Sequence, residues 1–239
     1  MFMFCAMTET SATHLRRLAA ADLSELLTAP PRQQRGRDRQ QALIGAGMQL
    51  TGTRDWADVT VGDIAAAIGC SVGTFYTRFR NKDAYFDVLL GLVTDLMQER
   101  ADAFYADPVR KSETAAQFIA NWVALVLHSF SQARGLYATA VLSLRRRRPE
   151  VPGDSPLLRL RDQGRIQFAA AMTRRPGWRS AAARQRLQFA PQLLQGVLVN
   201  AVLTDPGPLH LGDAALQPQL VAALCAYLGL QTPAAEVPA

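Results

Sequence analysis

Between Thr60 and Lys82 the chain spaces hydroxyls, backbone amides, a phenol and an ammonium in a way that suits oxyanions and base edges. Thr60 is a good helix N-cap, and Asp63 at the third helical position meets the positive end of that helix. Val61, Ile64, Ala65 and Ile68 then share one apolar face, and Gly69 ends the helix where a left-handed residue is wanted. Ser71 caps a second short helix at once, with Val72, Phe75 and Phe79 expected to face inward. Helices joined by so short a turn must cross steeply, and small Ala65 sits at the crossing. That is the geometry of a helix-turn-helix, whose second helix enters the major groove of DNA. The outward face of that helix would offer Gly73, Thr74 and Thr77, with Tyr76 and Arg78 at its edges. Tyr76 can donate to a phosphate oxygen. Lys82 stands just before the next helix, where its ammonium and the free N–H groups can grip a phosphate together. A plain αα-hairpin shares the periodicity, and the run ending at Lys82 is what separates the two readings.

Other chemistry is poorly supplied. His14, His128 and His210 sit in no spacing that makes a triad or a metal site, and Cys5, Cys70 and Cys225 lie far apart. With no nucleophile–base pairing, phosphate loop or ligand cluster, no enzyme activity, cofactor or metal is expected. Cys70, in the turn, is expected to be buried and inert.

The elements that must position these groups are helices. Gly and Pro punctuate a chain of 239 residues, 49% hydrophobic and 19% charged, and almost everything between them has helical periodicity. Helices are predicted over about 13–28, 38–51, 61–68, 72–79 and 83–105. Further helices are predicted from a Ser112 cap through Phe130, and over 135–146, 156–173, 181–203 and 214–229. Pro191 should kink the helix over 181–203. The fold class is therefore all-α. No apolar run approaches the roughly 20 residues of a membrane span. The opening Met1-Phe2-Met3-Phe4-Cys5 lacks the basic n-region of a signal peptide, and scattered cysteines fit a reducing cytoplasm.

A formal net charge of +6 favours an anionic partner. The excess is uneven: 13 arginines lie between Arg134 and Arg186, whereas 83–133 is acidic. This basic stretch is expected either to neutralise the helix bearing Asp95, Glu99 and Asp102 or to attract an anionic effector. The run Arg145-Arg146-Arg147-Arg148 reads as a solvated helix end. Arg32, Arg35, Arg37 and Arg39 read as a link or as an arm reaching flanking DNA.

The run also resembles the TetR family of bacterial regulators. The family pattern has a Thr cap, an Ile-Ala pair, a Gly turn, then Ser-x-Gly-Thr, an aromatic, Tyr, and spaced Phe and Lys. This chain supplies Thr60, Ile64-Ala65, Gly69, Ser71, Gly73-Thr74, Phe75-Tyr76, Phe79 and Lys82, and the likeness covers about residues 38–90. It departs from the family in having Thr51 after Leu50, Gly47 where Ala is usual, and Asp55 in place of a turn glycine. Trp56 fills the usual aromatic place in the small domain's core.

The resemblance implies that Thr60, Tyr76 and Lys82 hold phosphates, while Ser71, Val72, Gly73, Thr74 and Thr77 lie against the bases. It implies a small-molecule effector and a homodimer bound to double-stranded operator DNA, acting as a repressor. The expected organisation is an extension over 1–37, a DNA-binding domain over 38–85, an effector and dimerisation domain over 86–230 and a tail over 231–239. Phe104, Trp122, Phe130 and Tyr137 are candidates to line an effector pocket, although aromatics at helical spacing also describe plain core. Leu187, Leu194, Val197, Leu198, Leu220 and Leu224 are expected at the dimer interface, as stripes too apolar to leave in water. A helical-pocket enzyme carrying a helix-turn-helix and a dimeric adaptor that senses nothing are the rival readings.

Overall fold

The computed structural model describes residues 34–147 and 155–232, so the predicted helix over 13–28, Arg32, Arg148 and residues 233–239 lie outside it. The chain divides into two compact units, Met1–Leu96 and Met97–Ala239. Among the described residues every regular element is helical.

In the first unit, α1 (Gln34–Thr53) is followed by α2 (Val61–Ala67), α3 (Val72–Tyr76) and the first part of α4 (Lys82–Ala106). Helix α1 begins before the predicted start at 38, so Arg35 and Arg37 belong to a helix and not to a link. Arginine is a good helix former and nothing after Pro31 stops the helix from starting. Trp56 is buried, as its aromatic character predicted. Asp55 is extended, with φ −66° and ψ 141°, so no left-handed conformation is needed at that position.

The core of this unit is built around Tyr85. Its ring lies 4.7 Å from that of Phe79, 5.2 Å from Phe75 and 5.9 Å from Trp56. The edge-to-face pairs with Phe75 and Phe79 and the stacked pair with Trp56 add to the area each ring removes from water. The Tyr85 hydroxyl donates to the Leu43 carbonyl at 2.6 Å, and burial pushes its ionisation well above the usual phenol range. Gly47 faces that hydroxyl, and a Cβ there would stand 2.0 Å from Tyr85 Oη. One turn on, buried Thr51 donates to the Gly47 carbonyl at 2.8 Å and needs no partner outside its own helix. The departures at 47 and 51 are thus consistent with a tyrosine that reaches across to α1.

In the second unit, the remainder of α4 precedes α5 (Val109–Ser112), α6 (Ala115–Gln132), α7 (Arg134–Arg147), α8 (Pro156–Thr173), α9 (Ala181–Leu203) and α10 (Leu216–Leu228). Helix α9 is central and packs on α6, α7, α8 and α10, while α10 also packs on α6. The bounds of α8 and α9 are those the sequence predicts. The cap of α6 is not: Thr114 caps it, and Ser112 lies in α5. Thr114 wins because Gln117 completes a capping box, satisfying two orphan amides reciprocally. Helix α9 continues through Pro191, which has no N–H to offer the Leu187 carbonyl.

The predicted interface stripe is largely the chain's own core. Leu187, Leu194 and Leu198 on α9, and Leu220 and Leu224 on α10, are buried within the single chain. Having four helices to pack against, α9 turns its strongest stripe inward. Of the six residues only Val197 is exposed, and it belongs to a second, outer stripe with Phe189, Leu193 and Leu203. Among the described residues no helix is long and apolar enough to cross a membrane.

Candidate DNA interface and interior cavity

The first of the two helices is fixed at its start by Thr60. Its hydroxyl accepts from the Asp63 amide at 3.0 Å, while the Asp63 carboxylate accepts from the Thr60 amide at 2.7 Å and its hydroxyl at 2.8 Å. The hydroxyl proton of Thr60 is therefore engaged, and a phosphate would have to take it from Asp63. The Thr60 amide, then its hydroxyl, and then Arg54 hold the Asp63 carboxyl below its ordinary value of 3.8. A lowered folded value means stability that is fully present above the unfolded value and is lost as pH falls through the folded one. The first unit should thus lose stability below about pH 3.8 through this cap. Acid titration of unfolding should show a shallower loss in Asp63→Asn than in the parent. Superimposable curves would remove Asp63 from the account.

Gly69 adopts φ +64° and turns the chain into α3, as the glycine predicted, and Ala65 is buried at the crossing. Ser71 caps α3 by accepting from the Thr74 amide at 3.3 Å. Phe75 and Phe79 point into the core, but Val72 is 44% exposed and does not. With α3 only five residues long, Val72 lies in its first turn, on the outer side of the aromatic cluster. Ser71, Val72, Gly73, Tyr76 and Thr77 all face outward, with Thr74 half-buried beside them. The Thr77 hydroxyl donates to the Thr74 carbonyl at 2.7 Å, which leaves its lone pairs outward. A Cβ at Gly73 would meet nothing nearer than Ser71 Oγ at 3.6 Å, so the fold itself does not demand glycine there. Cys70 is half-buried rather than buried, its thiol near the Ser71 carbonyl at 3.6 Å.

Lys82 opens α4, and its ammonium donates to the Trp56 carbonyl at 2.9 Å while lying 4.7 Å from the centre of the Trp56 ring. The lysine is thereby aimed and keeps two further N–H donors. Asn81, which the sequence reading missed, caps α4 by accepting from the Ala84 amide at 2.7 Å. Its place just before a helix carrying Asp83 in the first turn was the available signal. Arg78 was read as an edge residue; it lines an open cleft with Arg35, Asp38 and Arg39 from α1. The two α1 arginines therefore stand beside the end of the helix-turn-helix.

The second unit holds a cavity of about 90 Å³. Trp122, Phe130 and Tyr137 line it, as three of the four pocket candidates. Phe104 does not: it packs on Tyr105 and Phe118 beneath the Arg110 guanidinium. Its neighbour Tyr105 takes the cavity face, in step with Ala101 and Met97, one and two turns back. Asp102 on the acidic helix accepts from the amides of Gln98 and Gln167, which are not among the arginines expected to balance it. Among the described residues no cluster of His, Cys, Asp or Glu could hold a metal ion.

A left-handed glycine between two capped helices, the second presenting small and hydroxyl residues outward, defines a helix-turn-helix protein. Residues 43–89 match the family described as bacterial regulatory proteins, tetR family. The chain is similar to the HTH-type transcriptional regulator EthR of Mycolicibacterium smegmatis, with 36% identity over 74 residues, 31% of this chain and 32% of that protein. It thus spans about a third of that relative's length. Its fold is similar to that of a tetR-family transcriptional regulator from Streptomyces coelicolor, with TM-score 0.59, 18% identity and coverage of 80% and 81% of the two chains. A transcriptional regulator from Cytophaga hutchinsonii matches with TM-score 0.55, 13% identity and coverage of 80% and 95%. The sequence likeness to the tetR family thus lies in residues 43–89, and the likeness of fold extends over 80% of the chain.

Proposed function

We propose that this protein is a cytoplasmic transcriptional repressor that binds operator DNA as a homodimer and is released by a small-molecule effector. The observation that carries the reading is the outward face of α3. Val72, Gly73, Tyr76 and Thr77 are exposed on α3 and its C-cap, while Phe75 within the helix and Phe79 just beyond it are fully buried. Val72, Gly73, Thr74 and Thr77, with Ser71, lie against bases in this reading, and glycine at 73 admits close approach. Tyr76 and Lys82 hold phosphates, and Thr60 joins them once its hydroxyl leaves Asp63. A second copy covers Phe189, Leu193, Val197 and Leu203. The effector occupies the cavity of the second unit and favours a state in which the paired recognition helices no longer match successive major grooves.

The test is salt-dependent binding. Lys82→Ala should weaken binding to all duplexes and reduce the slope of log affinity against log salt by about 1, while Tyr76→Phe should weaken binding to all duplexes with little change of slope, because a neutral phenol displaces no counterion. Thr77→Ala and Val72→Ala should instead change the ranking among operator sequences. If Tyr76→Phe binds every duplex like the parent at matched salt, α3 is misplaced as the reading helix.

A further inference from the structure

The cavity has mostly apolar walls, from Met97, Leu125, Val126, Leu160, Pro191 and Leu194 among others. Its polar groups are mainly donors. Ser129 already donates to the Leu125 carbonyl at 2.9 Å. Arg161 Nε is buried without a hydrogen-bond partner among the described residues, the buried Tyr105 Oη has the Trp122 N–H beside it but no acceptor there, and both side chains belong to this one wall. Arg161 also hydrogen-bonds the deeply buried Tyr137 phenol, and it is the Nε–H that is left without a partner among the described residues. Arg165 lines the same cavity but has a carboxylate, Asp162, at 3.5 Å. No such ion pair joins Arg161 to a described residue, so among these residues its guanidinium faces the chamber without a carboxylate partner. A guanidinium in that position is costly unless an acceptor meets it, and its fork matches two oxygens of one carboxylate.

We propose that the ligand of this cavity is a small apolar carboxylate, its body against Trp122 and Phe130 and its oxygens on Arg161 and Tyr105. The proposal rests on the effector reading of the cavity and adds the ligand's chemistry. A single guanidinium without a carboxylate partner among the described residues suits one negative charge; a phosphate dianion would ask for more donors than this wall supplies. The volume, about 90 Å³, is smaller than the roughly 150 Å³ that holds benzene, which restricts the body to a short acyl chain or one ring with slight yielding of the walls. The proposal also gives a use to one arginine of the basic stretch.

The test is calorimetric titration of the full chain with isovalerate and benzoate, each beside its neutral amide. The acids should bind about tenfold or more tightly than the amides, the size expected of a charge-assisted pair. Arg161→Gln should abolish that preference at a ligand-free melting temperature no lower than the parent's, whereas Arg165→Gln should keep it. Equal binding of acids and amides, or an unchanged preference in Arg161→Gln, overturns the carboxylate but leaves an apolar effector site. Failure of every probe to bind overturns both this proposal and the effector reading. Operator binding, measured on the same sample, stands or falls separately.

Discussion

Val197→Glu is expected to give a folded monomer whose operator affinity falls by about 10²–10⁴-fold, whereas Leu194→Glu is expected not to fold. The two residues lie three apart on α9, and their difference is one of direction. Leu194 is 1% exposed inside the second unit, and a carboxylate there would be stripped of water in a mostly apolar wall. That cost is several kcal/mol against a total stability of about 5–15 kcal/mol. Val197 is 46% exposed, so a glutamate there stays hydrated until a second copy covers it. A monomer loses the gain from engaging two half-sites at once, which sets the expected fall. Sedimentation, circular dichroism and gel shift on both variants decide the matter. A Val197→Glu protein that remains a dimer, or a Leu194→Glu protein that folds like the parent, would reverse the assignment of faces.

Gly47→Ala should cost the first unit about 3 kcal/mol, near the upper end of ordinary overpacking. The added methyl would stand 2.0 Å from Tyr85 Oη and 2.8 Å from both Tyr85 Cζ and Leu89 Cδ1. Tyr85 is wholly buried and tied to the Leu43 carbonyl, so its ring has nowhere to swing. Tyr85→Phe added to Gly47→Ala removes the nearest atom and should recover part of the loss, leaving the Cζ and Leu89 contacts. Urea unfolding followed through Trp56, which lies in the same unit, reports the result. An alanine variant as stable as the parent would mean that α1 and α4 separate at little cost.

What the sequence made legible was local. The bounds of α8 and α9, the caps at Thr60 and Ser71 and the left-handed Gly69 each depend on residues within one turn. What it concealed depends on a third party. A leucine stripe at 187, 194 and 198 shows that something covers α9 but not whether that cover is α6 or another chain. Ser112 and Thr114 both qualify as caps, and only the reach of Gln117 chooses between them. Adjacent Phe104 and Tyr105 differ by about 100° around α4, and nothing in their types says which meets the cavity. Arg161 looks like any surface arginine until the wall around it is known.

The brevity of α3 has a consequence for how such regulators diversify. A five-residue helix cannot hold itself together, since isolated helices shorter than about 12 residues are marginal in water. Its shape is lent to it by Phe75 and Phe79, which contribute nothing to the reading face. In the proposed reading Val72, Gly73 and Thr77 contribute to that face, and Tyr76 to the phosphates beside it, and all four contribute little to the core. The two tasks are divided between neighbouring positions of one short segment. A gene duplicate could therefore exchange its outward residues, and with them its preferred operator, while the aromatic cluster keeps the segment folded. Substitutions at 72, 73, 76 and 77 should accordingly be far better tolerated for expression and solubility than those at 75 and 79. New target sequences would then be reached along a path on which the fold is never at stake.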